Sequence, residues 1–424
     1  MPETSKGSGG KVLEVAHEIA RHHHFAKDAA GVLYRYEHGV YRPDGKEQIA
    51  KATKALLQTS GFFDSKVVDQ VTQFFGIDAP SLWPTPTSNI VNVRNGLMNV
   101  NTGKRSLHST QHLSSIQIPV IYNPNADCDA WDWFLKGSLP EDALQTVFEI
   151  IGYAMQTDRS LQKAGLFIGP GEDGKTALLN AVSAFIGRWN TTNLSLHRLE
   201  SDRFACARLV GKLLNVWADL PSHMLPDSSM FKCIVGQDRI IGENKFERIF
   251  EFDPFPFLLF SANNFPRIRD AGHAIFRRWH VLQFERKFTD AEKIPSAELR
   301  KLLTEPSQLS GVLNRALAVL PMIRANGFSH SVSSQLAMDE FVSLTDPMAA
   351  WLNEHTVLAP STHSPMASLL ARYNEHMRRE QRPEKTQNAF TRDLKRLRPQ
   401  VETRQRTIGG KIEWCYTGLR LRLK

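Results

Sequence analysis

The sequence predicts an α/β protein with a parallel central sheet, and three observations carry that prediction. Strand-like and helix-like segments alternate from about Ala164 to Phe284, the pattern of parallel strands joined by crossover helices. Three short apolar runs in that stretch, starting at Ala164, Lys212 and Phe257, read as buried strands. A glycine-rich run lies between the first of them and a helix over Ala177 to Ile186.

The bulk properties fit such a fold. The chain has 424 residues, enough for about two to four domains with buried cores. Apolar residues make up 42% and charged residues 23%, as in ordinary globular proteins. No apolar run approaches the roughly 18 residues needed to cross a bilayer, and Met1 to Gly10 has no apolar centre, so neither membrane insertion nor a secretory signal is expected. Cys128, Cys206, Cys233 and Cys415 are isolated, without a C-x-x-C pair, which points to a reducing cytoplasm rather than to a disulfide framework or a zinc site.

Taken in order, Lys11 to His24 has apolar residues at helical spacing. Leu33 to Arg42 reads as two short strands around His38-Gly39, and helices follow at Ile49 to Leu57 and Val67 to Phe75. The proline-rich stretch Pro80 to Pro86 breaks regular structure. Ile90 to Val100 reads as strand, Asn95-Gly96 turn, strand. Trp131 to Leu135 and Asp142 to Met155 are helical and lead into the α/β stretch, and helices resume over Ser296 to Ala325. After Asp346-Pro347 a last compact unit has helices over Met348 to Glu354, Pro365 to Glu380 and Gln387 to Leu397, then strands around Gly409-Gly410. The domains expected are a helical and β unit over 1–130, the α/β core over 131–290, a helical connector over 291–345 and a basic unit over 346–424.

Charge is unevenly placed. Of the net +8, Met366 to Lys424 holds 15 Lys and Arg against 6 Asp and Glu, a balance of +9, so the rest of the chain is close to neutral. A basic end on a neutral body suits a polyanion; a solvated basic surface accounts for the charge equally well.

The most specific motif is Gly169-Pro170-Gly171-Glu172-Asp173-Gly174-Lys175-Thr176, a full match to G-x-x-x-x-G-K-[ST] between a strand and a helix. Glycines let backbone N–H groups curl around phosphate oxygens, and the helix N-terminus adds positive potential. Lys175 is expected to reach the β- and γ-phosphates of ATP, and the Thr176 hydroxyl to ligate Mg²⁺. Such a loop needs an acid on a neighbouring strand, and the run from Lys212 ends on Asp219, a candidate to hold Mg²⁺ and orient the attacking water. The plain alternative is a strand-end Asp that caps a turn. Position 218 is Ala, where many ATPases have a second acid, so the catalytic base stays open. Asn263, at the end of the run from Phe257, is a candidate sensor of the γ-phosphate, or else a turn residue before Phe265-Pro266. Arg277 and Arg278 are candidates for an arginine, donated by a neighbouring subunit, that stabilises charge in phosphoryl transfer; taken alone, an Arg pair is more often a surface ion pair.

Together these pieces resemble the phage and plasmid helicase–primase family, whose motor is a superfamily III helicase on an AAA+ core. Beyond the motifs above, the resemblance rests on Asn95-Gly96-Leu97, Ile121 to Asp127, Gly152-Tyr153, Arg203-Phe204, Leu209 to Lys212, Asp219-Leu220-Pro221, Gly236-Gln237-Asp238 and Lys245, and it covers roughly residues 20 to 424. It implies an AAA+-type core, an N-terminal helical and β domain, and a C-terminal winged helix carried by Leu369 to Tyr373, Phe390 to Leu397 and Tyr416 to Leu419. It also implies ATP and Mg²⁺, single-stranded and forked DNA, a homo-oligomeric ring of six, and a separate primase or initiator as partner. Lys245 and Arg248 would lie near a hairpin that grips the DNA backbone. Many members carry a polymerising primase module ahead of the motor. Only 89 residues precede Ile90 and no acidic metal triad occurs among them, so priming by this chain is not expected.

In the tail, Arg392, Lys395 and Arg396 share a helical face at i, i+3, i+4, suited to phosphate contact. Two lookalikes are set aside. His17 to His22 imitates a zinc-protease helix but has Arg21 where the second His belongs, and His22-His23-His24 is a short basic run. The leading expectation is an ATP-driven ring helicase. The alternatives are an ATP-switched origin-binding or loading factor that does not unwind, and a small-molecule kinase, which leaves the basic tail without a purpose.

Overall fold

The computed structural model describes residues 8–59, 64–221, 227–246, 249–266, 268 and 273–422. The first unit is α1 (Ser8–His22), an antiparallel sheet β1 (Phe25–Lys27), β2 (Leu33–Glu37) and β3 (Val40–Arg42), then α2 (Gly45–Thr59) and α3 (Ser65–Asp78). Asp64 caps α3 by accepting from the Lys66 N–H, and Val67, Val71 and Phe75, four apart, form its buried stripe. That stripe packs with Val15, Ile19, Ile49 and Leu57 in a core of its own.

β4 (Ile90–Val93) and β5 (Gly96–Asn99) form the expected hairpin, with β6 (Arg105–Ser106) beside β5. The turn falls one residue earlier than Asn95-Gly96. Val93 pairs with Gly96, so Arg94 and Asn95 make the turn, and the Asn95 amide bridges to both backbone groups of Tyr122. Val91, Met98 and Ile118 share a core with Trp131 and Phe134 of α4 (Asp129–Ser138) and Val147 and Ile151 of α5 (Leu144–Ala154).

The centre is a five-stranded sheet. It contains β7 (Ala164–Ile168), followed by α6 (Lys175–Ile186); β8 (Thr191–Thr192), followed by α7 (Leu196–Ser201); and β9 (Leu214–Trp217), followed by α8 (Ser229–Gly236). A two-stranded hairpin, β10 (Ile240–Gly242) and β11 (Phe250–Phe252), then precedes β12 (Phe257–Ala262), α9 (His273–Phe276) and β13 (Trp279–Gln283). The order is β13-β7-β12-β9-β8 and every neighbouring pair is parallel, so the α/β architecture with a parallel sheet holds. Both faces are covered. Phe167, Phe257 and Leu259 point into the core shared with α5 and α6, while Leu166, Leu258 and Phe260 point into the one shared with α7 and α8. This is why β7 and most of β12 read as unbroken apolar runs.

After the sheet come α10 (Ser296–Leu303), α11 (Pro306–Asn326) and α12 (Val332–Thr345). α12 lies in the stretch expected to be a helical connector, but beyond Ala325, where the apolar spacing places the end of its helices. It is opened by Ser331, which accepts from the Ser334 N–H, and it lays Phe341 flat on Phe265 with ring centroids 4.9 Å apart. The last unit runs α13 (Pro347–His355), β14 (Thr356–Pro365), α14 (Met366–Arg379), α15 (Gln387–Leu397), β15 (Glu402–Ile408) and β16 (Lys411–Leu421). β14 was also not expected. It joins the terminal hairpin in an antiparallel sheet of order β14-β16-β15, with its register shifted between Ala359 and His363. Trp351, Tyr373, Phe390 and Tyr416 fill a separate core. Among the described residues no helix is long and apolar enough to cross a membrane.

Candidate functional site

The glycine-rich run links the buried strand β7 to α6. Gly174 is the N-cap of α6 at φ 94°, and a Cβ there would meet the Phe134 ring at 3.2 Å, so glycine alone lets the loop turn against α4. The N-cap Gly174 gives α6 no side chain to cap it, and the positive end of the helix faces the loop. Lys175 is 3% exposed and Asp173 2%. The Lys175 ammonium donates to the Gly169 carbonyl at 2.9 Å and to the Asp173 carboxylate. That carboxylate also accepts from the Gly171 N–H at 3.1 Å and the Lys175 N–H at 3.2 Å. Glu172 faces the other way. Its exposed carboxylate pairs with Lys293 at 2.8 Å and Lys287 at 3.3 Å, and those hydrogen bonds hold it below the usual carboxylate range. Pro170 is exposed beside it, and Thr176 is exposed on the first turn of α6.

Sheet order sets what lies next to the loop. β12 sits between β7 and β9, and its end bonds to both neighbours: Gly169 N–H donates to the Ala262 carbonyl, and Leu220 N–H donates to the Ser261 carbonyl. Asn263, the next residue, is exposed, and its Oδ1 would lie 3.9 Å from a Cβ added at Gly171. Asp219 follows β9 at the same edge, exposed, at φ 55°, with its N–H directed at the Ser261 hydroxyl 3.4 Å away. The structure therefore gathers the loop, Asn263 and Asp219 at the C-terminal edge of three adjacent parallel strands, where ligands of open α/β sheets bind. A cavity of about 1340 Å³ opens from Gly169, Pro170 and Asn263 toward Arg382, Glu384 and Lys385 of the last unit.

Arg277 and Arg278 lie elsewhere. They immediately precede β13, whose register sets Trp279 beside Ala164 and Gln283 beside Ile168, so the pair occupies the edge of the sheet opposite to the loop. Arg277 is exposed and donates to the Gln162 side chain at 2.8 Å; Arg278 donates to the Ala274 carbonyl.

The nucleic-acid candidates are also scattered. Lys245 is exposed in the turn between β10 and β11, 5.0 Å from the ring of Phe246, which is 94% exposed. Arg248 lies outside the described residues. Phe246 was not singled out from the sequence, although an aromatic beside a turn lysine is a recognisable pairing. On α15, Arg392 and Lys395 face solvent, whereas Arg396 reaches back to Asp346 at 2.8 Å. The three-residue basic face is thus two residues plus an internal ion pair. Asp127, Asp129 and Asp132 bring carboxylate oxygens close together, but Arg315 bonds to the first and third of them and supplies the balancing charge.

Two stretches of the chain match known families. Residues 14–138 match a family described as D5 N terminal like, and residues 167–278 match a family of unknown function (DUF5906). Among solved structures, the A-form apo structure of the NrS-1 C-terminal region is similar with a TM-score of 0.53 and 11% identity over 96% of this chain and 98% of that one. The apo structure of NrS-1 residues 305–718 has the same TM-score and 12% identity over 96% and 99%. At such identities the likeness is one of fold.

Proposed function

We propose that this chain is an ATP-driven DNA helicase of the superfamily III type, working as a homo-oligomeric ring of six in the replication of a phage, plasmid or other mobile element. The observation that carries the reading is the gathering of the phosphate loop, Asn263 and Asp219 at one edge of the parallel sheet while two arginines stand at the other. A neighbouring subunit, not the chain itself, is then the natural recipient of Arg277 or Arg278. The N-terminal match to a D5 N terminal like family and the fold shared with the NrS-1 C-terminal region along nearly the whole chain support the same reading.

The residues present fit a nucleotide with Mg²⁺. A loop in which a Cβ on Gly169 or Gly174 would collide, the positive start of α6 and a buried lysine are what a polyphosphate needs. The loop N–H groups from Gly171 to Thr176 would bind the phosphates, with Gly169 and Pro170 shaping the loop's start, and Lys175 would neutralise the β/γ oxygens. Thr176 and Asp219 would hold Mg²⁺, which when bound draws charge from the phosphate oxygens. Asn263 would orient the lytic water beside the terminal phosphate. Arg277 or Arg278 of the next subunit would stabilise the transferring group. The last unit, with its α-β-α-α-β-β order, is read as a winged helix whose Arg392 and Lys395 contact DNA phosphates, and Lys245 in the β10–β11 turn, together with Arg248, as a grip on the strand inside the ring. The cytoplasm is the expected site of action, and a separate primase or initiator the expected partner.

The test is strand displacement by purified protein on a forked duplex. Unwinding that needs ATP and is lost in a folded Lys175→Ala variant is the expected result. DNA binding with ATP turnover but no displacement would replace this reading with that of a loading factor.

A further inference from the structure

The cradle already holds an anion of its own. The Asp173 carboxylate takes the Gly171 N–H, the Lys175 N–H and the Lys175 ammonium, the donors that a phosphate would use. Asp173 and Lys175 are both almost wholly buried. The neighbouring acid, Glu172, is drawn outward by Lys287 and Lys293. The loop's two carboxylates are therefore sorted, one to solvent and one into the anion position. A Cβ on Gly169 would stand 2.4 Å from Asp173 Oδ2, so that glycine makes the room the carboxylate occupies.

We propose that Asp173 is an internal occupant of the phosphate cradle, which a nucleotide's phosphate must displace before it binds. The inference rests on the nucleotide-site reading above and adds to it a determinant of affinity. A carboxylate and a phosphate cannot share these donors, because both are anions and the same N–H groups and ammonium would have to serve both. On binding, Lys175 exchanges its carboxylate partner for phosphate oxygens and the Asp173 side chain leaves the cradle. The free form is stabilised by the pair, and that stabilisation is lost each time a nucleotide enters.

Replacing Asp173 by Asn keeps its size and removes its charge, leaving Lys175 buried without a counter-ion in the free protein. Binding of a phosphate then relieves an unpaired charge instead of breaking a pair. The consequence is opposite in sign to the usual effect of a substitution in a binding loop. Asp173→Asn and Asp173→Ala should bind a fluorescent ATP analogue with Mg²⁺ about tenfold more tightly than wild type, the fold-change of one charged hydrogen bond no longer competed for. Addition of ATP should also raise their melting temperatures by more than it raises that of wild type.

Binding is measured by titration on wild type, both Asp173 variants and Lys175→Ala, with a cooperative melt establishing that each is folded. Unchanged or weaker binding in the folded Asp173 variants, with wild-type binding intact and lost in Lys175→Ala, overturns the internal anion and leaves the nucleotide site standing. Absence of binding in wild type and all variants removes the nucleotide site and the internal anion together. Gain of binding in Asp173→Asn or Asp173→Ala supports both, whichever of the two variants folds.

Discussion

Arg277 and Arg278 can be tested for action between subunits by mixing two inactive proteins. One is Lys175→Ala; the other is the double variant Arg277→Ala/Arg278→Ala. The structure supplies the distance that makes the test sharp. From Trp279 to Gln283, β13 runs in register with β7 from Ala164 to Ile168, and the loop begins one residue later. At about 3.3 Å per residue Arg278, level with Lys163, starts about 20 Å from Gly169, and an extended arginine side chain reaches about 7 Å. Contact within one chain is therefore excluded unless the sheet is taken apart. Leaving its present partner is easy for Arg277, which is exposed and bonded to the neutral side chain of Gln162. Loss of such an arginine is expected to lower turnover by about 10³- to 10⁵-fold. In randomly mixed rings from equal amounts, about a quarter of interfaces join an intact loop to an intact arginine, because each half is present at one chance in two. ATPase should return to about that fraction of wild type if sites act independently. The assay is phosphate release over a range of mixing ratios, with co-assembly shown by differently labelled subunits. No recovery in rings shown to be mixed would refute action in trans. So would a wild-type turnover per chain that does not change across the concentration range of assembly.

Two further outcomes follow from the same geometry. Asp219→Asn should keep the fold, since Asn tolerates the left-handed backbone found there, and should keep nucleotide binding while hydrolysis falls by about 10²- to 10⁴-fold; unchanged phosphate release would make Asp219 a turn residue and leave the acid to be sought elsewhere. Deleting residues 346–424 should weaken DNA binding and flatten its dependence on salt by about 0.7–0.9 in log–log slope for each DNA phosphate that the shortened protein no longer neutralises, as read by fluorescence anisotropy; an unchanged slope would place the ionic contacts in the sheet domain.

How much of this was legible beforehand depended on how local each signal is. The phosphate loop was legible because its shape is set by eight consecutive residues, and the strand and helix beside it by runs of apolar residues next to it. α3 and α15 were legible because Val67, Val71 and Phe75, or Phe390 and Leu394, repeat at helical spacing. α12 was not, because its buried side is only Ser334, Ala337 and Phe341, which makes no apolar stripe without the sheet edge it covers. β14 was hidden by Pro360 and Pro365 and by a partner, β16, whose residues begin 46 positions after its end. Of the site, residue types could be named but not their neighbours. That Asn263 would lie between the loop and Asp219 follows from β12 entering the sheet between β7 and β9, a long-range pairing that no short window of sequence holds. Asp173 stood among eight loop residues with no mark of its own, since the inward turn of its side chain onto the Gly171 and Lys175 N–H groups and the Lys175 ammonium is set by the folded loop. Arg396 read as part of a DNA-facing stripe because Asp346, its partner, is 50 residues away in sequence.

That same Asp346 is the single residue between α12 and α13. It caps α13 by accepting from the Ala349 N–H, receives Arg396 from α15, and precedes Pro347, whose ring restricts the conformations open to it. A glycine-rich tether of some length would let the last unit tumble and search. Here the connection has almost no slack, and its few soft torsions are already held from both sides. Such a joint behaves as a crank rather than as a leash. A duplex or strand held by Arg392 and Lys395 would keep one heading relative to the sheet, and any turn of the last unit would be handed directly to α12 and, through Phe341 against Phe265, to the strand end that carries Asn263.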